Sequence, residues 1–323
     1  MKIAMCLEPA MSPKWHYGRE MCVEDAVALR DQTPDVPIWD LQTLARSMKA
    51  FEDFGYKVRV LEGWVPMENF KLGKPEGEQE MQQMLATIEN MGALGIETLC
   101  YSWMVIHGWM RTSVTERLPG GALTTSYDHS IIEKDPRSHQ GIIVSEDQLW
   151  TTLEAFLKRA VPVAEKAGVK LAMHPDDPPL SPIMGVSRIM SSVSSFERLL
   201  KLNDSPANGI TFCQANFAAM DADVPAAIRN LGKDGRIHFV HFRDVEGDAR
   251  NLRETFHGMG KTDMYETIKA YMDIGFDGVM RPDHAPVMYG EPNANPGYEG
   301  LGRIYAIGYM RGLIEAAAKE RAR

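Results

Sequence analysis

The chain has 323 residues, 44% hydrophobic and 24% charged, with a formal net charge of −9 at pH 7 and a sequence pI ≈ 5.5. That composition is globular and long enough for one large α/β domain or two small ones. An acidic balance without a Lys/Arg cluster excludes nucleic acid as a main partner, and no run reaches the roughly 18 apolar residues of a membrane span. A small anionic substrate stays possible, because it needs only one or two local arginines.

Lys2 to Leu7 is too short an apolar run for a secretory signal and lacks a small-residue cleavage site, so it reads as a first strand. Cys6, Cys22, Cys100 and Cys213 are scattered with no CxxC pair. This argues against a disulfide framework or zinc knuckle and for a reducing, cytoplasmic setting. A polar segment, 9–37, follows; Tyr17 to Leu29 is read as helical and Ile38-Trp39-Asp40 as a weak second strand. Leu41 to Gly55 sets Leu41, Leu44, Ala45, Met48 and Phe51 on one helical stripe closed by Gly55. Tyr56 to Glu62 alternates as a strand, Glu78 to Met91 is helical, and Glu97 to Ser102 is the next strand. Residues 103–144 lack periodicity, and so long an irregular stretch inside a compact fold reads as an inserted lid. Ser145 opens the next helix as a capping box in which Gln148 reaches back.

The second half alternates regularly. Strands Val169 to His174, Gly209 to Cys213, Ile237 to Phe242 and Gly278 to Met280 interleave with helices Ser192 to Leu202, Val224 to Leu231, Asp263 to Ile274 and Gly300 to Ala318. With the weak second strand this makes eight strands, and parallel strands joined by helices predict a (β/α)8 TIM barrel, one domain over 1–323 with the lid at 103–144. An open doubly wound sheet is the alternative, but no GxGxxG follows the first strand.

Four successive strands of this half end on a potential ligand: His174, Cys213, His241 and, just past Met280-Arg281-Pro282, Asp283. In a barrel these ends open onto one face, where active sites lie. Two imidazoles, a thiolate and a carboxylate suit a borderline divalent ion such as Mn²⁺, Fe²⁺, Co²⁺ or Zn²⁺ rather than Mg²⁺ or Ca²⁺. Taken singly, His174 is as readily a packing residue, Cys213 a small buried apolar one, and Asp283 a turn cap. His238 competes with His241, but strand alternation points the two to opposite faces.

Around the four lie candidate acid/base groups, His284 beside Asp283 and Tyr298 in the turn Asn295-Pro296-Gly297-Tyr298. Arg281, Arg243 and Arg111 are candidate carboxylate binders. Asp176 and Asp177 read either as supports for the histidines or as solvated turn residues. His107 and Trp109 in the lid, with His257, are candidates for the pocket lining.

These residues, in order, resemble the metal-dependent mannonate dehydratases. The resemblance rests on Met173-His174-Pro175-Asp176-Asp177-Pro178-Pro179, Ser205 to Cys213, Ile237 to His241, Asp263-Met264-Tyr265, Met280 to His284, and Asn295 to Tyr298 with Gly302-Arg303. Lys71-Leu72-Gly73, Cys100-Tyr101-Ser102 and Trp109 to Thr112 agree with it. It implies a xylose-isomerase-like TIM barrel, a Mn²⁺ or Fe²⁺ ion on His174, Cys213, His241 and Asp283, and acid/base roles for His284 and Tyr298 in an order left open. The implied reaction is dehydration of D-mannonate to 2-keto-3-deoxygluconate. The implied partners are a small sugar acid and further copies of the chain, in a dimer or tetramer.

The chain departs from the family pattern at the rim. Gly258 stands where an acidic residue is usual, the loop 259–262 is short, Ala285 replaces valine, and Gln214-Ala215-Asn216 follows Cys213. Two other readings follow from these changes: an isomerase or epimerase on the same barrel, or a descendant that binds metal or sugar acid without turnover.

Overall fold

The computed structural model describes residues 1–30, 37–63, 65–135 and 143–323. In chain order its elements are β1 (Lys2–Leu7), α1 (Pro13–Glu20), β2 (Asp25–Leu29), α2 (Leu41–Asp53), β3 (Lys57–Glu62), α3 (Glu68–Lys71), α4 (Gly77–Ala93) and β4 (Thr98–Tyr101). There follow β5 (Ser113–Arg117), β6 (Leu123–Asp128), α5 (His129–Ile132), α6 (Glu146–Ala167), β7 (Lys170–Met173), α7 (Val193–Leu202), β8 (Asn208–Cys213) and α8 (Gln214–Ala219). The chain closes with α9 (Val224–Gly232), β9 (Ile237–Phe242), β10 (Val245–Gly247), β11 (Asn251–Glu254), α10 (Met264–Asp273), β12 (Val279–Pro282) and α11 (Gly300–Arg321).

Eight of the strands close a parallel barrel in the order β1-β12-β9-β8-β7-β4-β3-β2, the (β/α)8 arrangement expected. Strand alternation sorts its side chains into two layers. Small or slender groups, Ala4, Cys6, Val27, Val60, Cys100 and Ala172, share one cluster with Phe239 and Val279, while the larger aliphatic and aromatic residues of the strands pack against the helices. Helix starts follow from local chemistry. Asp40 accepts from the amides of Gln42 and Thr43, Asp263 from those of Tyr265 and Glu266, and Ser145 from that of Gln148. The capping box at Ser145 is half formed, because the Gln148 side chain donates to the Leu72 carbonyl instead of reaching back.

The second strand is the main departure from expectation. It is Asp25–Leu29, inside the stretch read as helical, and not Ile38-Trp39-Asp40, which forms a turn into the α2 cap. Helix α1 stops at Glu20, and Cys22 at φ 55 turns the chain into Asp25-Ala26-Val27-Ala28-Leu29. The alanines favour a helix in isolation. Here the segment pairs on both sides, Ala4 with Asp25 and Ala26 with Val58, and ladder formation overrides propensity.

The segment read as a lid carries a hairpin, β5 and β6, which joins β10 and β11 in an antiparallel sheet of order β10-β11-β6-β5, with Leu252 opposite Tyr127. Residues 136–142 of it lie outside the described residues. None of the described helices is long and apolar enough to cross a membrane.

Close packing at the barrel wall gives a first testable result. A Cβ on Gly209 would lie 2.3 Å from His238 Cε1 and 2.5 Å from the Arg236 carbonyl oxygen. Gly209→Ala therefore overpacks the wall and lowers unfolding free energy by about 1–3 kcal/mol. A denaturation midpoint equal to that of the parent would refute the tight fit.

Candidate active site

Strands β7, β8, β9 and β12 deliver His174, Cys213, His241 and Asp283 to one end of the barrel. His174 Nε2 is 3.1 Å from His241 Nδ1, and Asp283 Oδ2 is 3.6 Å from His241 Nδ1 and 3.8 Å from Cys213 Sγ. The ligand atoms of His174, Cys213 and His241 all lie within 4.8 Å of one another. His174 Nδ1 sits 2.6 Å from the Pro175 carbonyl oxygen, which only accepts, so the ring proton is on Nδ1 and Nε2 turns a bare lone pair inward. Burial and the neighbouring His241 push His174 down to about 3 and keep it neutral, as a ligand must be.

Burial pushes the Cys213 thiol up to about 12 against the pull of Arg243, so without a cation it holds its proton, donated to Asn216 Oδ1 at 2.8 Å. Burial also works against Asp283, but Arg281, His284, His241 and Arg243 outweigh it and hold the carboxyl well below its usual range. A pair of imidazoles, a buried thiol and an ionised carboxylate within contact of one another fit a divalent cation, which would draw off the thiol proton and neutralise the cluster.

His174, His241, Asp283, His284 and Tyr298 line one cavity of about 350 Å³, together with Glu62, Trp109, Asp177 and Arg281. His284 Nδ1 donates to Glu254 Oε1 at 3.0 Å, and its ring meets Trp109 and Tyr298 edge-on at 5.4 and 4.8 Å. Tyr298 Oη donates to Asp283 Oδ1 at 2.9 Å. Burial, then the charge of Asp283, raises the Tyr298 phenol well above its ordinary value.

The three arginines expected to hold a substrate carboxylate hold carboxylates of the chain instead. Arg111 is paired with Asp177 (2.6 and 3.1 Å) and Glu254 (2.6 Å), and Arg243 with Asp177 (2.8 Å) and Glu254 (2.9 Å). Arg281 binds Glu62 through two bonds (2.8 and 3.1 Å) and Asp283 at 2.7 Å. Only Arg281 of the three lines the cavity. Buried guanidinium groups need such partners, and the strand ends supplied them.

Neither Asp176 nor Asp177 bonds a histidine. Asp176 accepts from the Met190 amide at 2.7 Å, while its carbonyl accepts from Asn216, the acceptor of the Cys213 thiol. His257 is buried behind the site, donating to the Phe242 carbonyl at 2.7 Å and stacking on that ring. His107 lies off the cavity, and its carbonyl and that of Gly108 accept from the buried Arg188 at 2.9 Å each. Arg188 also donates to the Pro178 carbonyl at 3.1 Å, so it ties the segment before Trp109 to the loop after β7. Gly258, where the family has an acidic residue, has φ +83, and a Cβ there would lie 2.3 Å from Tyr309 Oη.

Two residues that the sequence reading passed over belong to the site. Glu62 ends β3 just as the candidate ligands end later strands, and that position was the available signal. Glu254 ends β11 and reaches His284 from outside the barrel; nothing in its sequence surroundings marks it.

The buried ion pairs make acid stability a measurable consequence. Burial opposes ionisation of Glu254, but Arg243, His284 and Arg111 bring it down to about 2, and the two arginines hold Asp177 well below the carboxylate range. A depressed carboxylate contributes stability that is complete above the unfolded-state value, about 4, and is lost as pH falls through the folded one. The urea midpoint is thus expected to fall already below about pH 6.5, where the unfolded chain gains protons that buried His174, His238 and His257 cannot take, and more steeply below about pH 4 as the paired carboxylates protonate. An unchanged midpoint at pH 3 would contradict the pairing.

The closed parallel barrel has the fold of the xylose-isomerase-like TIM barrels. The solved structure of L-ribulose 3-epimerase, at 16% identity and a TM-score of 0.63 over 100% of this chain and 97% of that one, shares this fold. Likeness becomes specific in one group. The family model of D-mannonate dehydratase matches residues 14–144 and 139–323. The mannonate dehydratase of Thermotoga petrophila is 36% identical over 335 residues, 93% of this chain and 92% of that protein. The crystal structure of mannonate dehydratase from Streptococcus suis superposes with a TM-score of 0.93 at 32% identity, covering 100% of this chain and 96% of that one. The chain belongs to the mannonate dehydratase family. It is a hydro-lyase, a sugar-acid dehydratase, and its family implies a divalent metal.

Proposed function

We propose that the chain dehydrates D-mannonate to 2-keto-3-deoxygluconate, with His284 as base, Tyr298 as acid, and Mn²⁺ or Fe²⁺ held by His174, Cys213, His241 and Asp283. The observation that carries this reading is the presence of the imidazole, the phenol and three of the four ligands on one cavity wall, with the Cys213 sulfur directly behind. The substrate comes from the relatives, which are named for it. The bound ion would act as a Lewis acid that stabilises charge developing on the substrate oxygens next to C2.

The chain's own groups divide the proton work between them. Glu254 is a carboxylate acceptor, so it keeps a proton on His284 Nδ1, and when the ring acts as base it is Nε2 whose lone pair takes the C2 proton. Tyr298 holds its proton over the whole working range, so it protonates the C3 hydroxyl as that group leaves as water. The enol that results becomes the 2-keto-3-deoxy acid as C3 takes up a proton and the C2 hydroxyl releases its own. Trp109 covers His284 from the outer side and limits access of bulk water.

The test is a panel of aldonates given to the Mn²⁺-loaded protein, with products read by mass. Loss of one water from mannonate supports the assignment. Products of unchanged mass mean isomerisation or epimerisation, and no turnover of any aldonate means binding without catalysis; either outcome overturns it.

A further inference from the structure

Arg303, in the first turn of α11, is fully buried, and among the described residues it meets carbonyl oxygens and no carboxylate. A charge taken out of water needs compensation. Here one terminal nitrogen donates to the Cys6 carbonyl near the end of β1 at 2.6 Å, and the other donates to the Tyr298 carbonyl. The guanidinium carbon also stands 5.0 Å from the centroid of the Tyr298 ring, within reach of its negative face. Nε has no partner, so hydrogen bonds do not offset the whole cost of burial. Two of the three contacts of this costly residue are to one amino acid, Tyr298.

Those two contacts hold what aims the phenol. Tyr298 closes a turn in which its amide donates to the Asn295 carbonyl at 2.8 Å, and the Gly297 carbonyl accepts from Ala285 at 2.9 Å. Past that point the main chain of Tyr298 is held by Arg303, with Lys14 Nζ farther off at 3.4 Å. A fixed carbonyl sets the backbone from which the side chain departs, and a cation over the ring favours one orientation of its plane. The neighbouring Gly302 seats the same helical turn beside the base: a Cβ there would lie 2.2 Å from the Pro286 carbonyl oxygen and 3.0 Å from Ala285 Cβ. One turn of α11 thus braces both Tyr298 and the segment that follows His284.

Resting on the acid role of Tyr298 proposed above, we infer that Arg303 is a positioning residue for proton donation: it ties the Tyr298 turn to the end of β1 and orients the ring so that its hydroxyl meets the substrate. Arg303 does not line the cavity and acts only through Tyr298. Displacing a reacting group by about 1 Å costs up to about 10²-fold in rate, which sets the size of the effect. Lysine cannot take its place, because one ammonium lacks the planar fork that spans two carbonyls.

The test uses the whole Mn²⁺-loaded chain with D-mannonate. Arg303→Met is expected to lower kcat by about 10–100-fold. Metal content and KM stay unchanged, and exchange of the substrate C2 proton in deuterium oxide is kept, because His284 is untouched. Arg303→Lys is expected to fall between this variant and the parent. In a Tyr298→Phe background, Arg303→Met should lower kcat no further, since the hydroxyl it aims is gone. Should the methionine variant not fold, the lysine variant decides by the same readouts. Parental kcat in a folded Arg303 variant, loss of C2 exchange in step with kcat, or a full further loss in the Tyr298→Phe background overturns the role of Arg303 while leaving Tyr298 as the acid. Parental kcat in Tyr298→Phe alone is a separate outcome, and it overturns the acid role and the inference with it.

Discussion

His174→Ala and Cys213→Ala are expected to abolish tight metal binding and, with it, dehydratase activity. His174 and Cys213 come from adjacent strands that place an inward-facing lone pair and a thiol within 4.8 Å of each other, close enough to share one ion. Removing either leaves three donors and a gap open to water. Loss of a residue that merely supports a ligand costs 10–100-fold in affinity, so loss of a ligand itself is expected to exceed about 100-fold. Dialysis against Mn²⁺ followed by metal analysis measures this directly. One ion per chain at parental affinity in either variant would refute the ligand set. Cys213→Ser is a useful companion, because a hydroxyl can still donate to Asn216; it keeps the apo fold while replacing the soft ligand with a poor one.

The second large effect separates the two proton-transfer groups. His284→Gln is expected to lower kcat by about 10²–10⁴-fold with metal content unchanged. Tyr298→Phe is expected to fall within the same range. The two differ in deuterium oxide: Tyr298→Phe retains exchange of the substrate C2 proton with solvent, because the base is intact, whereas His284→Gln exchanges nothing. The reverse pattern would exchange the assigned roles. Glu254→Gln should reproduce a weaker form of the His284 defect. Its amide can present a donor to Nδ1 and so allow the proton to settle on the nitrogen that must stay bare.

Much of this site was legible in the sequence because it is written in strand ends. An apolar run that stops at His174, Cys213, His241 or Asp283 announces both a barrel strand and the face onto which it opens. The regular second half then supplied the topology. Where strand pairing contradicts local preference, the sequence misleads. Asp25-Ala26-Val27-Ala28-Leu29 has the alanines of a helix, and only its neighbours β1 and β3 make it a strand.

The arginines illustrate a second limit. Arg111, Arg243 and Arg281 are correctly placed near the site, but residue type alone could not tell a substrate carboxylate from those of Asp177, Glu254 and Glu62. Glu254 shows the third. Its closeness to His284 depends on β11 pairing with β6 across more than a hundred residues, a contact that no local pattern encodes.

That pairing bears on how such a barrel can be altered. In many barrels the loops at the strand ends can be exchanged one at a time, which lets new specificities be tried on an unchanged frame. Here the rim segments after β4 and β9 are woven into one sheet, with Asn251 opposite Asp128 and Leu252 opposite Tyr127. A deletion of one residue in β6 slips that register and inverts which side chains face inward. Its effect is therefore transmitted along β11 to Glu254 and to the His284 ring that Glu254 holds. The two segments form one heritable unit, and a graft that brings only one of them should yield a barrel that keeps the His174, Cys213, His241 and Asp283 cluster but loses the Glu254 contact to His284.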